Sequence, residues 1–233
     1  MTKSTVFSTP KIIVYLLLVC AALMLSVWAF YWRAQSTQPT TTILANEAGT
    51  LFSMPRNIKP FVLTAQDNQP FTEKNFRGSW TLLFFGFTHC SKVCPTTFTM
   101  LNDVYEPLRK NYPNLKVVLI SLDPERDSTA TLAKYTHSFN PAFLGASGTT
   151  DELRKLQSQL GIFSAREPAA ATSSPMPAQA HKNRMNMSYQ IQHTSSILLI
   201  NPEGKWAGLF KYGLSPAQFT EAFNQAMNVA GKA

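Results

Sequence analysis

Trp80 to Lys110 reads WTLLFFGFTHCSKVCPTTFTMLNDVYEPLRK, and this stretch decides the fold. Trp80 to Phe85 is a short continuous apolar run, the pattern of a strand buried on both faces. After Gly86 the pattern changes. Pro95 is tolerated in a first helical turn, and Phe98, Leu101, Val104, Tyr105 and Leu108 follow at helical spacing. A strand, a loop and a helix are therefore expected, with Cys90 and Cys94 at the junction.

Working outward, Lys116 to Leu122 (KVVLISL) reads as a second buried strand ended by Asp123-Pro124. Asp127 or Ser128 then caps a helix running to about Ser138. This βαβα alternation implies a parallel sheet core. Phe143 to Ala146 reads as a short strand. Thr149 to Leu160 reads as a helix with Leu153, Leu156 and Leu160 on one face, ended by Gly161. Ser195 to Ile200 and Trp206 to Phe210 form a hairpin across Asn201-Pro202-Glu203-Gly204, and Ser215 to Met227 closes the domain as a helix. Upstream, Phe61 to Thr64, QDNQ and Pro70-Phe71 form a strand and turn. The whole is α/β and thioredoxin-like. Residues 164–188 carry Pro168, Pro175 and Pro177 without periodicity and are expected to be a flexible insertion, since structureless loops beyond ~12–15 residues are functional or disordered.

Ile12 to Trp32, IIVYLLLVCAALMLSVWAFYW, is interrupted only by Ser26, and ~20 such residues span a bilayer as a helix. A signal peptide has an apolar core of only ~7–15 residues, and Trp28, Phe30, Tyr31 and Trp32 resemble an interfacial belt rather than a cleavage site. Lys3 and Lys11 precede the span and only Arg33 closely follows it, which puts residues 1–11 in the cytoplasm by the positive-inside bias. The expected organisation is a transmembrane anchor at 12–32, a polar linker at 33–53 and a thioredoxin-like domain at 54–233. A bacterial inner-membrane protein with a periplasmic C-terminal domain fits best. Cys20 lies within the span and reads as a packing residue.

At 233 residues, 45% hydrophobic and 15% charged, the chain suits one compact domain with additions; wholesale disorder, collagen and coiled coil are excluded. Three cysteines are too few for a disulfide scaffold. The net charge of +8 comes from dispersed basic residues with no nucleic-acid motif, so no nucleic-acid partner is expected. Such a surface suits anionic lipid or an acidic protein, and plain solubility explains it equally well.

Cys90 and Cys94 stand four apart, an interval that brings two side chains onto one face near a helix start. The helix N-terminus and Lys92 both favour the thiolate, the form that binds metal or attacks a disulfide. Such a dithiol either oxidises reversibly or holds a soft ion such as Cu(I), and the spacing does not choose between them. Two packing cysteines would be the plain alternative. Against that stands their place after the carboxyl end of a buried strand, where open α/β sheets put their sites.

Firm copper binding needs a further ligand, and the chain has four histidines. His193 is the choice because it precedes the strand at Ser195, which should share a sheet with the strand feeding Cys90; a satisfied structural histidine is the alternative. His89, beside Cys90, is awkward as a co-ligand. His137 reads as a helix C-terminal cap. His181 with Met176, Met185 and Met187 could form an auxiliary soft site in the insertion, against incidental methionines in a loop. Asp123 either orients a ligand or simply makes its turn.

GFTHCSKVCPTT, ISLDPERDS and a late His193 before an apolar strand together resemble the SCO/SenC family, thioredoxin-fold proteins tethered to the inner membrane that help build the binuclear copper centre of cytochrome c oxidase. The resemblance runs from about Met54 to Met227. It implies that Cys90, Cys94 and His193 are the copper ligands, three-coordinate for Cu(I), with Cu(I) or Cu(II) as the cargo. The implied partner is the copper-binding subunit of cytochrome c oxidase or another copper-protein client. The family commonly has Pro and Asp within the cysteine loop and Asp before the histidine, where this chain has Ser91, Lys92 and Gln192. That departure puts the redox balance and the partner in question.

The leading reading is a membrane-anchored metallochaperone rather than a turnover enzyme. A thiol-disulfide oxidoreductase using Cys90 and Cys94, with His193 dispensable, is the second. A peroxidase or redox sensor rests on fold alone, and a closed zinc site wants four ligands.

Overall fold

The computed structural model describes residues 9–35, 41–43, 48–168 and 189–230, in two units divided after Thr40. The first holds helix α1, Thr9–Gln35. Its described side chains, from Ile13 to Ala29, are exposed. Among the described residues no helix is long and apolar enough to cross a membrane. In the sequence the apolar run goes on beyond Ala29 to Trp32.

The second unit is built on a nine-stranded sheet: β1 (Thr41–Ile43), β2 (Gly49–Asn57), β3 (Leu63–Ala65), β4 (Pro70–Phe71), β5 (Thr81–Gly86), β6 (Lys116–Ser121), β7 (Leu144–Ser147), β10 (Ile197–Ile200) and β11 (Lys205–Phe210). Strands β8 (Ser164–Pro168) and β9 (Tyr189–His193) pair only with each other. The large sheet runs β1-β2-β11-β10-β5-β6-β7-β3-β4, parallel between β5, β6 and β7 and antiparallel elsewhere. All six residues of β5 are buried. Leu82 and Phe84 face one core with helices α2 (Val93–Arg109), α3 (Thr129–Phe139) and α5 (Pro216–Ala230). Leu83 and Phe85 face the other, with α4 (Thr150–Gln159) and the cluster of Phe61, Phe71 and Phe76.

Local chemistry sets the helix ends as the sequence implies. The Ser128 hydroxyl accepts from the Thr131 N–H to start α3, and Thr149 does the same for Glu152 in α4. Gly161, at φ +62°, ends the turn after α4. The β3–β4 and β10–β11 hairpins are present. Two expectations are corrected. Residues 41–43 and 49–53, assigned to the linker on composition, form β1 and the start of β2, which pair with each other, and the first residues of β2 bury Leu51 and Phe52 against β11. Residues 164–168, assigned to the insertion, form β8, satisfied by backbone pairing rather than by apolar content. Met176, His181, Met185 and Met187 lie outside the described residues.

Candidate metal centre

Sheet register assembles the site. Gly86 at the end of β5 lies beside Ser121 at the end of parallel β6, so the cysteine loop and the Asp123–Asp127 turn leave the sheet together. Antiparallel β10 sets Ile197 opposite Phe84, so the residues before Ile197 return to the same carboxyl edge. His193 arrives there on β9, paired with Ser164, while Thr194 exchanges bonds with Phe163: its N–H donates to the Phe163 carbonyl at 3.0 Å and its Oγ1 accepts from the Phe163 N–H at 3.1 Å.

Cys94 is fully buried in the first turn of α2, whereas Cys90 is half-buried in the loop before it. No side chain of Lys92 caps α2; instead Cys90 Sγ accepts the Cys94 N–H at 3.4 Å, a sulfur taking one of the helix's orphan donors. The Cys94 thiol donating to Cys90 is the largest influence holding the Cys90 thiol far below its ordinary value; His193 and the backbone N–H groups of Cys94 and Lys92 add to it, against burial. Cys94 is pushed up, first by that same donation and then by burial. Without metal the two cysteines are thus driven apart, Cys90 toward thiolate and Cys94 toward thiol. Gly86 makes room for this: a Cβ there would lie 2.8 Å from Cys94 Sγ.

His193 Nε2 stands 3.9 Å from Cys94 Sγ, and Nδ1 is 3.0 Å from the Thr194 carbonyl, which can only accept, so that bond takes the Nδ1 proton and orients the ring with Nε2 toward the sulfur. Phe84 and Phe87 hold the ring edge-to-face at 5.8 and 6.1 Å. Ligand bonds of about 2.3 Å to thiolate and about 2.0 Å to imidazole, opened to a trigonal angle of about 120°, separate the two ligand atoms by about 3.7 Å. The observed spacing fits one ion between them. The donor set, two sulfurs and one imidazole, suits a soft monovalent ion.

Beyond the three, Asp127 holds the cysteine loop. Its carboxylate accepts the Thr88 N–H at 2.9 Å, the Thr88 hydroxyl at 2.6 Å and the Ser121 hydroxyl at 2.6 Å. His89 is exposed and turned toward Thr88 Oγ1 and Asp127, away from a ligand role. His137, in the last turn of α3, meets the Gln66 side-chain amide at 2.9 Å. Asp123 both makes its turn, accepting the Asp127 N–H on its carbonyl, and accepts on its carboxylate from the Tyr189 hydroxyl and Arg126 Nε. The roles of Tyr189, Arg126, Thr88 and Asp127 escaped the sequence reading. The alternation in YQIQH, with Tyr189 and Ile191 buried and Gln190 and Gln192 exposed, was the available signal.

Fold and site together define a thioredoxin-like protein with a Cys-x-x-x-Cys pair and a distant histidine converging at the carboxyl edge of the sheet. The SCO1/SenC family model matches residues 53–228, and the chain belongs to that family. It is 29% identical over 167 residues to the mitochondrial SCO2 homolog of Mus musculus, a match covering 71% of this chain and 60% of the mouse protein. Among solved structures it resembles Bradyrhizobium japonicum ScoI with copper bound (28% identity, TM-score 0.58, 75% of this chain and 98% of that one). It also resembles yeast Sco1 with copper bound (25% identity, TM-score 0.62, 75% and 90%).

Proposed function

We propose that this chain is a copper-handling assembly factor in which Cys90, Cys94 and His193 hold one Cu(I) or Cu(II) ion as cargo, and that it supplies copper to, or keeps reduced the thiols of, the binuclear copper centre of cytochrome c oxidase. The observation that carries the reading is His193 Nε2 lying 3.9 Å from Cys94 Sγ across 99 residues of sequence. Phe84 and Phe87 wall the ring and the Thr194 carbonyl orients it, which supports a positioned ligand. Membership of the SCO1/SenC family and copper in the B. japonicum and yeast relatives support the cargo. The partner is the copper-binding oxidase subunit or another copper-protein client.

The apolar run from Ile12 to Trp32 supports an inner-membrane anchor, with residues 1–11 cytoplasmic and the thioredoxin-like domain in the periplasm. Protein function here is transfer rather than turnover. A thiol-disulfide reductase is the second reading, favoured by the asymmetry of the pair: a half-buried thiolate at Cys90 to attack, and a buried thiol at Cys94 to resolve.

Anaerobic Cu(I) competition on the reduced protein, beside a disulfide-exchange assay, separates the two. Copper handling predicts one tightly held copper per chain, weakened in His193→Ala while exchange persists. A parent that exchanges readily and holds no copper would leave only the reductase.

A further inference from the structure

We propose that Tyr189, Asp123 and Arg126 form a positioning clamp that sets His193 against the cysteine pair, and that Asp127 with Thr88 is its counterpart on the cysteine loop. One turn, Asp123 to Asp127, would then keep both ligand-bearing segments in register. This inference rests on the copper-site reading above.

Both acids of the turn are buried, Asp123 at 0% and Asp127 at 2% exposure. A buried carboxylate is tolerated only where donors replace its water. The donors come from different places: those of Asp127 include Thr88, two residues before Cys90, and those of Asp123 include Tyr189, four residues before His193. His89, Asp123 and Asp127 present atoms within 4.8 Å of one another, but these carboxylates already accept from Thr88, Ser121, Tyr189 and Arg126, so the cluster reads as scaffold and not as a second cation site.

Strand geometry turns the clamp into a positioning device. Side chains of β9 alternate, so Tyr189, Ile191 and His193 share the inward face, and four residues at about 3.3 Å each set the tyrosine about 13 Å from the ligand. At the ligand end, β9 is tied by the Thr194–Phe163 pair. At the other end it is tied by the clamp. Arg126 Nη1 donates to the Tyr189 carbonyl at 3.2 Å and its guanidinium lies 3.7 Å from the ring centroid, with Arg166 at 4.7 Å. Tyr189 is also the first residue of β9 after the long stretch 169–188, so the clamp fixes the strand at its entry.

The test uses the full chain, reduced and solubilised in detergent, as parent, Tyr189→Phe, Thr88→Val and His193→Ala. Tyr189→Phe keeps the stacked ring and removes one donor. The measurements are Cu(I) affinity by chelator competition, amide hydrogen exchange of β9 without metal, and the alkylation rate of Cys90. The clamp predicts faster β9 exchange and about ten-fold weaker copper binding in Tyr189→Phe, with β5 exchange unchanged. Thr88→Val should do the reverse, altering Cys90 alkylation and leaving β9 exchange alone. A merely structural tyrosine would shift exchange throughout the domain. If Tyr189→Phe matches the parent in β9 exchange and affinity while His193→Ala weakens binding, the clamp is refuted and the copper site stands. If His193→Ala binds copper as the parent does, the site reading fails and takes the clamp's role with it.

Discussion

Replacing Gly86 with alanine adds one methyl group behind Cys94, at the back of the proposed copper site. Its Cβ would lie 2.8 Å from Cys94 Sγ, 3.0 Å from Phe84 Cε1 and 3.3 Å from Leu119 Cδ1. Ordinary contact begins at about 3.5 Å, so the sulfur must retreat by about 0.7 Å. Phe84, the ring that braces His193, is crowded at the same time. Overpacking of this kind costs about 1–3 kcal/mol, and the lost freedom of the unfolded chain offsets about 0.4–1 kcal/mol. A net loss of about 1–2 kcal/mol should lower the melting temperature of the metal-free protein by about 2–8 °C. Because Cys94 is buried, a shift of this size displaces its sulfur from its present spacing to His193, and copper affinity should fall about 10- to 100-fold. Calorimetric melting and Cu(I) competition on the same sample measure both. A variant that melts lower yet binds copper with parental affinity would refute Cys94 Sγ as a ligand at this position.

Other outcomes follow from the same geometry. Since hydrogen bonds hold the Cys90 thiol low, iodoacetamide should modify Cys90 in the metal-free protein at a rate nearly flat from about pH 5 to 8, whereas an ordinary thiol near pKa ~8.5 would speed up about ten-fold per pH unit. Cys94, pushed up and buried, should stay unmodified over that range, as peptide mapping would show. Lys92, exposed between the cysteines, favours thiolate, so Lys92→Asp should lower the reduction potential of the pair by about 10–30 mV in a glutathione redox titration; an equal or higher potential contradicts this. Phe98 packs edge-to-face or tilted on Phe84, Tyr135, Phe139 and Phe143, so Phe98→Ala should cost about 3–5 kcal/mol in urea unfolding.

What the sequence made legible tracks apolar periodicity. Strands β5 and β6 and helix α2 announce themselves in WTLLFF, KVVLISL and the spaced apolar positions after Pro95, because each is a single chain segment whose apolar residues are almost entirely buried. Strands β8 and β9 were not legible as a pair, since SAREP and YQIQH are polar on their outer face and find their stability in each other and in the Asp123 turn. Cys90 and Cys94 declare themselves by spacing. His193 does not: it reaches Cys94 through the antiparallel return of β10 beside β5, a long-range register that local pattern does not encode. The family resemblance supplied that residue, and the register accounts for its Nε2 lying 3.9 Å from Cys94 Sγ. Asp123 was visible as a turn residue, but its second use required Tyr189 to be in place.

The proposed copper site of two sulfurs and one imidazole nitrogen is most directly tested by X-ray absorption at the copper edge of the Cu(I)-loaded protein. The expected spectrum has two sulfur neighbours at about 2.3 Å and one nitrogen at about 2.0 Å, the nitrogen lost in His193→Ala. A parental spectrum with sulfur neighbours alone, unchanged by His193→Ala, would contradict the three-ligand site.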